Sequence, residues 1–153
     1  MIAIQATDEA LVPFPPRDVW RVLADVAAYP TWWPRVLGLR VLHREPGLVG
    51  SAVELRPFGG EPFRCRVEAI EEPRRMSTRY CDGFITGRGE WHLEPSGSGT
   101  RVRYELDVRA EGRVVAWLSR VLPLGRLHSI LMRRVLRQLA REIEQGAHRE
   151  GPR

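Results

Sequence analysis

Apolar and polar residues alternate along most of the first 110 residues and then give way to a helical period. Ile2 and Ile4 lead into Ala10 and Val12, which predicts an opening strand over residues 2–12. The Pro-Phe-Pro-Pro segment at 13–16 stops it, because proline cannot continue a ladder of backbone hydrogen bonds. From Arg17 to Ala24 the spacing becomes helical, with Val19, Trp20 and Leu23 on one face and Pro16 suited to a first turn. Tyr29, Pro30, Trp32, Trp33 and Pro34 form an aromatic cluster, expected as a second short helix ending at Pro34.

Five or six strands are expected next, separated by turn residues. Residues 36–44 carry Leu37, Leu39 and Val41 in alternation, and Pro46-Gly47 breaks them. Over 50–57, Ser51, Val53 and Leu55 oppose Ala52, Glu54 and Arg56, and Gly59-Gly60 turns the chain. Over 62–71, Phe63, Cys65, Val67 and Ala69 oppose Arg64, Arg66 and Glu68. A short strand at 75–81 is bounded by Glu72-Pro73-Arg74 and Asp82-Gly83. Over 84–94, Ile85, Gly87, Gly89, Trp91 and Leu93 share a face. Residues 95–99 read as a plain loop. The clearest strand is 100–110, with Val102, Tyr104, Leu106 and Val108 facing one way and mostly charged residues the other. The result is an antiparallel meander with one apolar and one charged face.

From about Val114 to Gln145 the period is helical, interrupted at Pro123 and Gly125 by a kink or a break. Leu124, Leu131, Met132, Val135, Leu139 and Ile143 fill one stripe, and Arg133, Arg134, Arg137 and Arg141 the opposite side. Gly146 suits the residue after a helix end. A sheet with one apolar face needs a cover, and this helix is the only element large enough. Fold class is therefore α+β, with one domain over residues 1–146 and a flexible tail at 147–153.

Length supports one domain and not two ordinary ones: the chain has 153 residues, 43% of them hydrophobic and 28% charged. No run of 18 apolar residues occurs and the N-terminus lacks a basic leader, so a cytoplasmic location is the default expectation. The net charge is +5, and all 24 basic residues are arginine. Arginine suits phosphate recognition, which puts nucleic acid and anionic membrane on the table. The basic residues are nevertheless mixed with acids over most of the chain, as on a solvated surface.

The stretch VPFPPRDVWRVLADVAAYPTWWPRV resembles the N-terminal signature of the START-related, polyketide cyclase/dehydrase (SRPBCC) superfamily, through Pro15, Val19, Trp20, Leu23, Asp25, Tyr29, Pro30 and Trp32. GRGEWHLEPSGSGTRVRYELDVRAEG resembles it again, through Trp91, Leu93, Pro95, Gly99, Thr100, Val102 and Tyr104. The resemblance implies a helix-grip fold: a seven-stranded antiparallel sheet wrapped around a long C-terminal helix, with two short helices after strand 1 and a cavity between sheet and helix. It also implies that the Asp25 region and the two adjacent tryptophans sit near the cavity's end. Members range from lipid carriers to cyclases and hydrolases, so the fold does not name the activity.

No catalytic signature stands out: there is no nucleophile elbow, zinc-protease helix or phosphate-binding glycine loop. No metal site and no cofactor are expected. Cys65 and Cys81 match no zinc spacing. In a simple hairpin they would be cross-strand neighbours, but the apolar set Met76, Thr78 and Tyr80 favours the other register, with Cys81 outward and no disulfide. Trp32 and Trp33, being consecutive, are not expected both to point inward on a helix; one is core and the other could lie near a pocket entrance or touch a membrane. His128 falls in the middle of the apolar stripe of the last helix. It is either a core histidine, a polar handle for a ligand oxygen, or an acid/base group. Tyr104 and Trp91 are either aromatic core or ligand-lining. Gly87 and Gly89 leave room on the same face.

The residues expected to line the cavity are Trp33, Leu55, Phe63, Cys65, Val67, Trp91, Tyr104, Leu106, Leu124, His128, Leu131 and Val135. A ligand site starts at roughly 300 Å³, and a dry void of that size would cost on the order of 7 kcal/mol against a typical net stability of about 5–15 kcal/mol. A cavity, if present, is therefore expected to be used. The expected function is binding or transport of a small hydrophobic ligand such as a lipid, polyketide or isoprenoid. A polyketide cyclase or aromatase is the alternative. A further alternative is a protein that meets RNA, the ribosome or a membrane surface through its arginines. No DNA partner is expected, transient membrane contact is allowed for, and monomer and homodimer both stay open.

Overall fold

The computed structural model describes residues 1–149. Strand β1 (Ile2–Val12) leads into helix α1 (Pro16–Ala24) and a one-turn helix α2 (Tyr29–Trp32). Six strands follow: β2 (Arg40–His43), β3 (Ala52–Leu55), β4 (Phe63–Glu71), β5 (Arg75–Cys81), β6 (Ile85–Ser96) and β7 (Gly99–Ala110). Helices α3 (Arg113–Val121) and α4 (Leu124–Arg149) close the chain. The strands form one antiparallel sheet in the order β1-β7-β6-β5-β4-β3-β2. β1 pairs with the last strand of the meander, β7, and α4 packs against β1 and α1. This is the helix-grip arrangement.

The period-2 pattern explains which face is gripped. Val102, Tyr104, Leu106 and Val108 of β7 are buried, while Arg101, Asp107 and Arg109 between them are exposed. The exposed face is held by cross-strand ion pairs, such as Arg79 with Glu68 (2.5 Å) and Arg75 with Glu90 (3.2 Å). On α4, Met132, Val135, Leu136, Leu139 and Ile143 are buried, and Arg133, Arg134, Arg137 and Arg141 are exposed. Thr100 donates a hydrogen bond to the Phe14 carbonyl (2.7 Å), tying the proline-rich exit of β1 to the start of β7.

Several local expectations change. Residues 35–37 form a 3-10 turn rather than the start of a strand, ended by Gly38 at φ 54°; a side chain there would meet the Arg56 carbonyl at 2.8 Å. The expected loop at 95–99 is mostly strand: β6 and β7 stay paired as far as Ser96 and Gly99, so only Gly97 and Ser98 turn. A bulge lies between Val67 and Ala69. It turns Ala69 out to solvent and brings Ile70 opposite Met76 instead. The same bulge settles the cysteines. Nearer the turn the ladder pairs Ala69 with Ser77, a register that would set Cys65 against Cys81; beyond the bulge Cys65 faces Tyr80 and Cys81 faces Arg64. Both cysteines are free.

At Pro123 the C-terminal helix is broken, not merely kinked, into α3 and α4. Gly146 does not end α4, which runs on to Arg149 and so takes in residues 147–149 of the expected flexible tail. Glycine permits a left-handed cap without requiring one, and His148 Nδ1 lies 2.8 Å from the Glu144 carbonyl one turn back. The rest of that tail, 150–153, lies outside the described residues.

Candidate functional site

The sheet curls around α4 without filling the space beneath it. A cavity of about 650 Å³ remains between them, within the size range of small-molecule sites. The structure places all twelve expected residues on its wall: Trp33, Leu55, Phe63, Cys65, Val67, Trp91, Tyr104, Leu106, Leu124, His128, Leu131 and Val135. The period-2 and 3.6 patterns bring eleven of them together, since each of these lies on the buried parity of its strand or on the covered stripe of α4, while Trp33 follows the end of α2. Of the Asp25 region, Val26 lines the cavity, whereas Asp25 itself is exposed and does not.

Of the two adjacent tryptophans, one is core and the other lies at the cavity. Trp32 is core, and Trp33 is part of the cavity wall, stacked on Tyr29 at 5.3 Å. Both can be covered because α2 ends at Trp32 and Trp33 is extended (φ −63°, ψ 147°), which frees it from helical spacing. The Trp33 indole nitrogen is buried with no hydrogen-bond partner among the described residues.

A small polar group interrupts the apolar wall. The hydroxyls of Tyr80 on β5 and Tyr104 on β7 lie 2.6 Å apart. These strands are not neighbours. With β6 between them their backbones stand about 9–10 Å apart, so the two rings must reach across β6. Gly89 makes this possible: a β-carbon at Gly89 would lie 2.0 Å from the Tyr104 hydroxyl and 3.0 Å from the Tyr80 ring. Glycine weakens a strand, and here it opens the channel in which two phenols meet. Thr78 lies beside them and donates to the Gly89 carbonyl (3.0 Å).

Above Tyr104 stands His128, its ring stacked at 6.0 Å and 24°. Its Nδ1 is 3.6 Å from the Asp8 carboxylate, too far for a hydrogen bond, and is buried without a hydrogen-bond partner among the described residues. Asp8 is itself buried, sits opposite Tyr104 in the ladder, and accepts a hydrogen bond from Ser129 (3.1 Å). Burial pushes the His128 pKa below its usual value, and the Asp8 charge opposes this only in part. The imidazole is therefore neutral at pH 7. Burial raises the phenol pKa values of Tyr80, Tyr104 and Tyr29, so all three keep their protons. Tyr29 spends its proton on the Leu23 carbonyl. The Cys65 thiol is pushed up to about 12 by burial and stays protonated. Among the described residues no group of three potential metal ligands converges.

Tyr80, Thr78 and Asp8 were absent from the expected set. The signal for Tyr80 and Thr78 was present, since the alternation with Met76 turns both inward. Asp8 shares the parity of Ile4 and Val12 on β1, and an acid in an inward-facing position was the clue. The rim has a different character: Phe58, Glu61 and Val114 line the cavity and are also exposed.

Residues 3–144 match the family model described as polyketide cyclase/dehydrase and lipid transport. A curated relative, the ribosome association toxin RatA of Escherichia coli (strain K12), is 25% identical over 113 residues, 72% of each chain. Among solved structures, TTHA0849 from Thermus thermophilus superposes with a TM-score of 0.77 at 20% identity, covering 95% of this chain and 99% of the other. The Zhui aromatase/cyclase from Streptomyces sp. R1128 superposes with a TM-score of 0.67 at 19% identity, covering 94% and 95%. At these identities the structural likenesses concern the fold.

Proposed function

The chain belongs to the polyketide cyclase/dehydrase and lipid transport family, and we propose that it binds or carries a small apolar molecule with one oxygen-bearing end. The observation that carries this reading is the Tyr80–Tyr104 hydroxyl pair set in an otherwise apolar cavity of about 650 Å³. Two phenols hold two protons and share one hydrogen bond, so one proton is left for a ligand oxygen. Such a contact orients the ligand, while apolar burial supplies most of the affinity. The partnerless nitrogens of Trp33 and His128 are further groups that a ligand oxygen or a bridging water would satisfy.

The test is native mass spectrometry of gently purified protein, followed by organic extraction. The expected result is a co-purified apolar molecule containing oxygen. Failing retention, a thermal shift is expected with long-chain alcohols, isoprenoid alcohols or aromatic polyketides. At a hundredfold excess over Kd a ligand stabilises by about 2.7 kcal/mol. A clean unliganded mass and no shift with any of these would overturn the reading.

One observation favours an enzyme as the second reading: a neutral imidazole beside a buried carboxylate, on the wall of the same cavity. An acid/base role for His128 predicts that His128→Ala removes turnover while ligand retention survives. The name of the Escherichia coli relative points to a ribosomal partner, but that reading gives the cavity no role.

A further inference from the structure

Helix α3 is apolar nearly all the way round. Val115 and Leu118 line the cavity. Val114, which also reaches the cavity rim, Trp117 and Val121, spaced i, i+3, i+7, are 70%, 62% and 60% exposed, and Leu122 just beyond is 46% exposed. Phe58, in the turn across the rim, is 64% exposed and also lines the cavity. A helix with two apolar faces has no settled place on a solvated surface, and clustered exposed apolar residues mark a contact site.

The charge around this helix is equally one-sided. From Arg113 to Arg141 there are seven arginines and not one acid, whereas in the rest of the chain 17 arginines are outnumbered by 19 acids. The whole positive excess of the protein therefore resides in α3 and most of α4. Arg113 and Arg120 fall next to Trp117 on the outer side of α3, and Arg126 follows in the first turn of α4; all three are exposed.

We propose that α3 and the Phe58 turn dock on an anionic lipid bilayer, Trp117, Val114 and Val121 entering the interface and Arg113, Arg120 and Arg126 meeting the lipid phosphates. This deepens the ligand-carrier reading and rests on it, because the face that docks is the rim of the cavity. An apolar molecule could then pass between bilayer and cavity without crossing water. Apolar side chains flanked by basic ones are what an interfacial helix needs. A polyanion such as RNA would use the arginines but would leave Trp117, Val114 and Val121 without a partner, so the bilayer is the occupant the surface favours.

The experiment measures binding to vesicles of phosphatidylglycerol and phosphatidylcholine (1:1) against phosphatidylcholine alone, by cosedimentation and tryptophan emission. Trp117 is the one exposed tryptophan among the described residues, so a blue shift on binding reports on α3. Binding is expected to the anionic vesicles, to weaken with salt, to fall at least tenfold in Trp117→Ser, and to survive in Trp117→Phe. Arg113→Gln and Arg120→Gln are each expected to weaken it about fivefold, which corresponds to ~1 kcal/mol per basic residue near an anionic surface. Uptake of a soluble fluorescent fatty acid by Trp117→Ser, measured without vesicles, separates the two readings. Retained uptake with lost docking supports the proposal. Lost docking with no uptake even in the unaltered protein means that the cavity reading has failed, and the carrier role of the rim with it. Vesicle binding indifferent to Trp117 and to the arginines overturns the proposal. So does binding to an RNA homopolymer with none to vesicles.

Discussion

The two ends of the cavity are built on opposite principles. On and just behind its interior wall most hydroxyls are matched within the chain: Tyr80 with Tyr104, Thr78 with the Gly89 carbonyl and, behind the wall, Ser129 with Asp8. At the rim large apolar side chains face water, and α3 carries its arginines with no acid within the helix. Matched groups hold each other in place and can select a ligand by its oxygen. Unmatched apolar surface selects nothing by itself, but it lowers the cost of meeting another apolar phase. The wall is therefore the place to look for specificity, and the rim for access.

The strongest way to break this contrast is Gly89→Val. The new side chain needs the space taken by the Tyr104 hydroxyl and the Tyr80 ring, so the phenols must separate and enter the cavity. Overpacking of this kind typically costs about 1–3 kcal/mol. A lower melting temperature and loss of ligand retention are both expected; a variant that keeps its ligand would show that the channel over Gly89 is not part of the site. A finer test is the pair Tyr80→Phe and Tyr104→Phe. Either single change leaves a buried hydroxyl without its partner, at about 1–3 kcal/mol, whereas changing both removes the two polar groups together and can be nearly neutral. Denaturant unfolding of the two singles and the double should give a cost for the double well below the sum. Ligands that carry an oxygen should lose affinity in all three variants and hydrocarbon analogues in none.

The smallest expected effect concerns pH. His128 has a folded pKa below its unfolded value because burial disfavours the imidazolium. Its contribution to stability is therefore full above the unfolded pKa, near 6.5, and is lost as pH falls below that value toward the depressed folded pKa. Comparing the melting temperature of the unaltered protein with His128→Gln across pH 5–8 isolates this one group from the carboxylates. The variant should show a shallower decline on acidification; parallel curves would mean that the imidazole is not buried as described.

How much of this was readable from the chain follows from periodicity. Strands that expose one face announce it residue by residue, so the inward sets of β6 and β7 and the stripe of α4 needed only counting. Eleven of the twelve wall positions followed from the same count, Trp33 being the exception. Register was another matter, because one extra residue at the bulge beyond Val67 leaves no mark in the hydropathy pattern, and Ala69 was misplaced for that reason. Tyr80 and Asp8 had the right parity but no partner in sequence: what joins Tyr80 to Tyr104 is the absence of a side chain on a third strand. The rim was hidden for a different cause. In a helix apolar on both sides the 3.6-residue period cannot say which side faces a cavity and which faces water, and α3 reads as the start of α4 until Pro123 is seen to separate them.

The bulge in β4 has one further consequence, and it concerns oxidation. Without it, the register next to the turn would continue and set the two cysteines face to face across adjacent strands. With it, Cys65 lines the cavity beside protonated phenols, its thiol held at about 12 and so without the thiolate that disulfide exchange requires, while Cys81 lies on the other side of the sheet. A displacement of one residue thus keeps the two sulfurs from facing each other, and Cys65 serves on the cavity wall as a compact, polarisable apolar surface.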